Sequence, residues 1–165
     1  MYKVGEIIAY GSQGICRVEE ITARQIGDFS ADYYILKPLY DSRSTVSVPV
    51  ANEKLTARMR LPLDRKGASE LVKSMDGAAT LWIDDDNKRR ESYNSLVTEG
   101  DPYRIAALFK TLVLRRKELE SLSRKLRTVD ENFLRQTEKL LCNELSYAGV
   151  GDMTEIRQLL LSKFL

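Results

Sequence analysis

Residues 4–21 read VGEIIAYGSQGICRVEEI, and this stretch decides the fold of the first third of the chain. Apolar residues dominate positions 7–10 and alternate with polar ones over 15–21, on either side of the turn-rich segment 11–14. Alternation with a period of two is typical of a half-buried strand, and a Gly-rich segment between two such runs is typical of a turn. The sequence therefore predicts two consecutive short strands here.

Two further strand-like runs extend this pattern. They occupy residues 33–36 and 45–49, and the turn signal Gly27-Asp28 precedes the first of them. Several short strands at this spacing are typical of a small, strongly bent sheet or barrel. We therefore expect a β module over residues 1–55, which is short for an independent hydrophobic core.

From Asp64 onward the apolar spacing becomes helical. Asp101-Pro102 has the sequence of a helix cap followed by a first-turn proline, residues 128–131 match a capping box, and Gly149 matches a C-terminal cap. We expect five helices in this region, starting near Lys66, Asp84, Asp101, Thr128 and Asp152. The fold class is therefore α+β, with a β module over 1–55, a linker over 56–63 and an all-α domain over 64–165.

Composition excludes several classes of protein. The 165 residues include 26 Lys+Arg, 24 Asp+Glu and 43% hydrophobic residues, which is the balance of a soluble globular protein. The longest apolar-rich stretch, 105–114, is interrupted by Lys110 and is too short to span a bilayer. No signal-peptide pattern follows Met1. We expect a cytoplasmic protein that makes no contact with membranes.

The chain lacks histidine and has two cysteines, Cys16 and Cys142, far apart in sequence. Without imidazole, the usual general base of hydrolases and the usual zinc ligand are missing. Both cysteines are expected to be buried and to act as small apolar residues. We expect no cofactor, no metal and no enzymatic activity.

Three consecutive carboxylates, Asp84-Asp85-Asp86, are the best candidate for a catalytic alternative. A magnesium site needs oxygen ligands that converge, whereas three consecutive side chains point in different directions. Carboxylates at the start of a helix also compensate its dipole. The second interpretation is favoured.

Positive charge is concentrated in the middle of the chain. Residues 88–127 hold 11 basic and 5 acidic side chains, whereas residues 1–60 hold 8 and 7. The basic runs 88–90, 115–117 and 124–127 each fan around a helix or lie in a loop, which is also typical of a solvated face. A local positive field of this kind suits an anionic partner.

Trp82 is the only tryptophan, and it precedes the first of these basic runs. An isolated tryptophan beside a loop serves either as a core anchor or as an exposed wedge that enters between base steps. The residues alone leave both alternatives open.

The run at 46–49 has a similar ambiguity, because its closing Pro49 indicates an edge strand that either accepts a partner strand or is protected from aggregation.

Taken together, residues 2–21, 33–37 and 46–49 resemble the opening of the CarD (CdnL) family of bacterial transcription regulators. That module is shared with the polymerase-interacting domain of transcription-repair coupling factor. The likeness continues through Trp82, residues 88–90 and residues 100–116.

The resemblance implies a Tudor-like module that binds the β subunit of bacterial RNA polymerase. It also implies a helical domain that contacts promoter DNA at the upstream edge of the melted bubble, where a tryptophan wedge and basic neighbours stabilise the open complex. The polymerase-binding residues so implied are Arg24, Arg43, Val46, Ser47 and Pro49, and the DNA-binding residues are Trp82, Lys88, Arg89 and Arg90. Ser47 departs from the family, because some members carry a basic residue there, and Arg43 either replaces that contact or the contact is absent.

On this interpretation the protein is a monomer that binds free DNA weakly and without sequence specificity, because no pattern for reading the major groove is evident. The alternative is a protein-protein adaptor that makes no contact with nucleic acid.

Overall fold

The computed structural model describes residues 1–41 and 43–164. The chain divides into two compact units, Met1–Pro62 and Leu63–Leu165. The first unit contains the β-strands and the second contains the long helices. The expected α+β organisation is confirmed.

Five antiparallel strands form the sheet of the first unit. Their bounds are β1 Ile7–Tyr10, β2 Gly14–Ile26, β3 Phe29–Pro38, β4 Val46–Pro49 and β5 Met59–Arg60. The strand order is β4-β3-β2-β1-β5, which places β4 at one edge, as its proline predicts. A one-turn helix, Gly11–Gln13, links β1 to β2, and a short helix α1, Glu53–Thr56, follows β4.

The segment 56–63 is more than a linker. Within it, Met59 and Arg60 pair with Tyr10 and Ala9 of β1, and Met59 is buried in the core of the sheet. Since a two-residue strand is too short to show any alternation, the sequence could not predict it. The N-terminal unit therefore extends past residue 55.

Alternation explains the core of this unit. Ile8, Cys16, Val18 and Leu36 are fully inaccessible to solvent, whereas Arg17, between Cys16 and Val18, and Lys37, next to Leu36, are exposed. Inward residues of neighbouring strands thus meet on one face of the sheet.

Five helices form the second unit. They are α2 Arg65–Gly77, α3 Asp86–Glu99, α4 Pro102–Ser121, α5 Thr128–Tyr147 and α6 Met153–Ser162. Four of these helices start at an aspartate whose side chain accepts a hydrogen bond from a backbone N–H of the first turn. These N-cap residues are Asp64, Asp85, Asp101 and Asp152. The spacing of caps and apolar residues therefore predicted all five.

The capping box expected at residues 128–131 is wrong. Arg127 is the N-cap of α5 and makes no capping hydrogen bond with its side chain, and Thr128 already lies in the helix. Because the carbonyl of Arg127 accepts from the N–H of Glu131, the helix starts one residue earlier than the box requires.

Two helices end in the same hydrogen-bonded turn, with different residues at its left-handed position. After α5, Gly149 has φ 85° and its N–H donates to Ser146, while the N–H of Val150 donates to Leu145. After α4, Ser123 has φ 57°, its N–H donates to Glu120, and the N–H of Arg124 donates to Leu119. Both are Schellman motifs, and Gly149 confirms the predicted cap.

The helical core is built around α4. Leu108, Phe109 and Leu112 are fully buried there against Leu134 of α5 and Leu160 of α6, among other residues. Both cysteines are buried, as expected. Among the helices of the described residues, none is long and apolar enough to cross a membrane.

Candidate functional sites

Trp82 lies in the segment between α2 and α3 and is half-buried against the helical core. Its indole Nε1 donates a hydrogen bond of 3.1 Å to Oδ1 of Asp84. The side chain thus combines features of both alternatives, because one part packs on the core and the rest faces solvent.

Two guanidinium groups lie over the indole ring. The Cζ atom of Arg89 is 4.2 Å from the ring centroid and that of Arg115 is 4.7 Å from it. Both distances are within the range of a cation–π interaction. Trp82 is therefore held in one place by side chains from two helices, α3 and α4.

Arg89 is buried, with 3% of its surface exposed. Its Nε and Nη2 atoms donate to the two carboxylate oxygens of Asp130 at 2.9 and 2.8 Å, and Nη2 also donates to Asp86 at 2.8 Å. Hydrogen bonds with Asp130 raise the pKa of Arg89 above its ordinary value. Arg89, which the resemblance implies as a DNA-binding residue, thus has its charge paired with carboxylates inside the protein.

The other two members of the basic run, Lys88 and Arg90, are exposed. Because consecutive helical residues are 100° apart, these two side chains leave α3 in directions about 200° apart. At most one of them lies on the same side of the helix as Trp82.

The side chains of the three consecutive aspartates contact different residues. Asp84 accepts from Trp82, Asp85 caps α3 by accepting from the N–H of Lys88, and Asp86 pairs with Arg89 and with Arg127. The dipole interpretation covers all three aspartates, and the structure places Asp85 at the N-cap of α3 and Asp86 in its first turn, whereas Asp84 precedes the cap. Within the described residues, no group of three His, Cys, Asp or Glu side chains is placed to hold a metal ion.

A basic cleft lies beside the loop that joins α4 to α5. Its volume is about 620 Å³, and it is lined by Arg116, Glu120, Ser123, Arg124, Lys125, Leu126, Thr128, Glu131 and Arg135. Arg124 and Leu126 also line a smaller cleft of about 190 Å³ that contains Trp82 and Arg127. The sequence showed the basic runs at 115–117 and 124–127, but their placement next to Trp82 depends on how α4 and α5 pack.

Within these runs, the cations differ in availability. Arg124, Lys125 and Arg127 are exposed. Arg127 pairs with Asp86 at 2.7 Å, Lys117 is exposed and donates to the carbonyl of Phe164, and half-buried Arg115 pairs with Glu118 at 2.9 Å. The loop residues are thus the cations best placed to meet an anion near Trp82.

In the N-terminal unit, the expected partner-binding residues lie on β2, on β4 and in the loop before β4. Arg24 is exposed on β2, and its Cζ is 5.8 Å from the centroid of the Tyr33 ring. Tyr33 is paired with Pro49 of β4, so Arg24 and Pro49 lie toward the same end of the sheet. Val46 and Ser47 are half-buried on β4, where they pair with Leu36 and Ile35 of β3.

Arg43 is exposed in the loop that precedes β4, and its backbone N–H donates to Asp41. Strand β4 begins at Val46 and ends at Pro49, so Arg43 lies near its first residue and Pro49 is its last. The structure thus does not bring Arg43 next to Arg24 along the register.

Two residues at the tip of the β2–β3 hairpin were missed by the sequence analysis. Ile26 and Phe29 are paired across the turn and are 67% and 79% exposed. The available signal was the placement of large apolar residues on both sides of the Gly27-Asp28 turn, where polar residues are usual. They add an apolar contact surface beside Arg24.

Comparison with known proteins agrees with the resemblance. The family model described as the CarD-like/TRCF RID domain matches residues 2–61, and the helical unit lies outside the match. No curated protein matches the chain.

Proposed function

We propose that this protein is a non-enzymatic regulator of bacterial transcription initiation. The proposal is supported by the match of residues 2–61 to the CarD-like/TRCF RID domain, which is a domain that interacts with the β subunit of RNA polymerase. The N-terminal unit binds the polymerase and the helical unit contacts promoter DNA at the upstream edge of the bubble. The family match carries the polymerase contact, and the held Trp82 beside a basic loop supports the DNA contact.

The polymerase contact uses the open edge and the hairpin of the sheet. Within the described residues, β4 is an edge strand of the sheet, and an edge strand is the type of surface to which a partner adds a strand. Arg24 supplies a charge near Pro49, and Ile26 and Phe29 supply apolar area. Such a surface combines backbone pairing for orientation with side-chain contacts for specificity.

The DNA contact uses Trp82 as a wedge. One part of the indole ring packs against the helical core, and two guanidinium groups lie over the ring. The part of the ring that contacts a base step is therefore one of its edges. Insertion of an apolar side chain between base steps unstacks them partly. At the boundary between duplex and melted DNA, this holds the strands in the open state.

The cations of the α4–α5 loop hold the phosphates around the wedge. Arg124, Lys125 and Arg127 are exposed beside the cleft that contains Trp82, and Lys88 or Arg90 extends this field from α3. Phosphate contacts fix the position of a protein on the duplex without reading sequence. The affinity for free DNA is weak, and tethering to the polymerase supplies the effective concentration that binding requires.

A reconstituted promoter-opening reaction tests the proposal. We expect the full-length protein to lengthen the lifetime of the open complex formed by bacterial RNA polymerase, and Trp82→Ala to remove most of this effect. If the wild-type protein binds the polymerase but leaves the lifetime of the open complex unchanged, the adaptor alternative is supported.

A further inference from the structure

We propose that Asp130 of α5 is a positioning residue for the wedge, which acts on Trp82 through the guanidinium of Arg89. This inference rests on the proposed function and assigns a role to a residue about 50 positions from Trp82 in sequence. The structure links the three side chains in a single chain of contacts from α5 to the indole ring.

The first link is the pair between Asp130 and Arg89. Each residue is 3% exposed, and the two carboxylate oxygens accept from Nε and Nη2 of Arg89 in parallel. A bidentate pair of this kind fixes the plane of the guanidinium as well as its location. The orientation of Arg89 is therefore determined by α5.

The second link is the contact of that plane with Trp82, at 4.2 Å from Cζ to the ring centroid. The same guanidinium also holds the backbone that follows Trp82, because Nη1 donates to the carbonyls of Ile83 at 2.9 Å and Asp84 at 3.5 Å. Both the ring and the peptide segment that carries it are thus set by the direction of Arg89.

Every donor of the guanidinium is in use. Its N–H groups reach the carboxylates of Asp130 and Asp86 and the carbonyls of Ile83 and Asp84. A buried ion pair is a weak source of net stability, because the cost of desolvation offsets the attraction. Three of its five hydrogen bonds reach the segment 83–86 that follows Trp82, and the other two reach Asp130, so the pair is better explained by the geometry it imposes on that segment.

The test uses the fluorescence of Trp82, which is the only tryptophan of the chain. In Asp130→Asn, we expect the emission anisotropy of Trp82 to fall and its quenching by acrylamide to rise. The reason is that residue 130 then has one uncharged acceptor oxygen instead of two carboxylate oxygens, so the orientation of Arg89 is no longer fixed. Circular dichroism establishes that the variant is folded at the temperature used. The same variant is then assayed for open-complex lifetime, which we expect to approach that of Trp82→Ala.

Glu138→Gln is the matched control. It removes a charge from the same helix α5, but Glu138 pairs with Arg157 at 2.6 Å and lines neither of the two clefts near Trp82. We expect its fluorescence to match the wild type and its open complex to live at least as long.

A second variant covers the case in which Asp130→Asn does not fold. Replacing both partners, Arg89→Met with Asp130→Leu, removes the buried charges together, a change that proteins often tolerate. We expect this double variant to fold, with a looser indole ring and a shortened open-complex lifetime.

A combined variant shows whether Asp130 acts through the wedge. In the Trp82→Ala background, Asp130→Asn should cause no further loss of lifetime at equal folded fraction. A further loss there would overturn the inference, as would unchanged anisotropy and quenching in the folded variants. If Trp82→Ala leaves the lifetime intact, the proposed function fails, and the fluorescence results still decide whether Asp130 holds the ring.

Discussion

The guanidinium of Arg127 lies 2.7 Å from a carboxylate oxygen of Asp86, so that the residue before α5 is tied to the start of α3 at the surface of the helical unit. Arg127 is 70% exposed. Exposed pairs of this type contribute only about 0–1 kcal/mol to folding. Arg127 is therefore able to exchange its carboxylate partner for a phosphate at little cost in stability.

From this we predict that Arg127→Ala lowers DNA affinity on the polymerase complex while the melting temperature stays close to that of the wild type. If one phosphate contact is lost, the slope of log affinity against log salt should decrease by about 0.9. Salt titration of open-complex formation measures this slope. Arg157→Ala is the control, because Arg157 is also an exposed arginine paired with a carboxylate, that of Glu138 at 2.6 Å, and the slope for this variant should not change.

Removal of a fully buried large side chain costs about 3–5 kcal/mol of folding free energy. We predict that Trp82→Ala costs less than this. The reason is that the ring is only half-buried, although its removal also uncovers Arg89. Thermal melting measures the stability, and the promoter assay measures open-complex lifetime in parallel. A full-sized loss of stability, with lifetime reduced only in proportion to folded protein, would identify Trp82 as a core anchor.

For Asp130→Ala, the expected loss of stability is large, about 3–5 kcal/mol, because Arg89 would remain buried without its main partner. Urea unfolding measures it. Glu118→Ala removes the partner of half-buried Arg115 at the surface and should cost about 1 kcal/mol or less. Equal effects of the two substitutions would contradict the burial of the Arg89 pair.

Arg24→Glu should weaken binding to the polymerase β subunit by about tenfold or more, because reversal of a charge at an interface converts attraction into repulsion. Arg24 is exposed, so folding should be unaffected. Arg17→Glu makes the same change on the same strand, at a position paired with Lys37 and far along β3 from the hairpin tip. Binding measurements that show equal losses for both variants would remove Arg24 from the interface.

Burial raises the pKa of the Cys16 thiol to about 12, and burial raises that of Cys142 to about 11. We therefore predict very slow alkylation of the native protein by iodoacetamide at pH 8, and fast alkylation once it is unfolded, because the thiolate is the reactive form. Because the folded protein holds the Cys16 proton more tightly than the unfolded chain does, burial of this thiol costs no free energy of folding below pH 9. The folded state loses free energy of stabilisation as the pH rises from about 9 toward 12. Rapid labelling of native protein would contradict the burial.

Local patterns were sufficient to predict much of the fold. Alternation located four strands, and Asp101 and Asp152 marked helix starts that the structure confirms. These features depend on residues close in sequence. The paired segment at Met59 and Arg60 depends on a strand about 50 residues earlier, so no local pattern reports it.

The site residues show the same limit. Lys88, Arg89 and Arg90 form one basic run in the sequence, yet the middle residue is buried because Asp130, 41 positions away, is its partner. Likewise, the cations that join Arg89 beside Trp82 come from α4 and the loop after it. The sequence located the basic runs and Trp82, whereas packing decides which of these side chains face solvent.

The backbone turn at the end of α4 has an entropic consequence for binding. Ser123 occupies the left-handed conformation, which costs a residue other than glycine about 1–2 kcal/mol, and the N–H of Arg124 is committed to Leu119. The two exposed cations that follow are thus carried by a backbone that is ordered before any phosphate arrives. Ordering a flexible loop on binding would reduce affinity, and this loop avoids part of that loss at the expense of strain in the free protein.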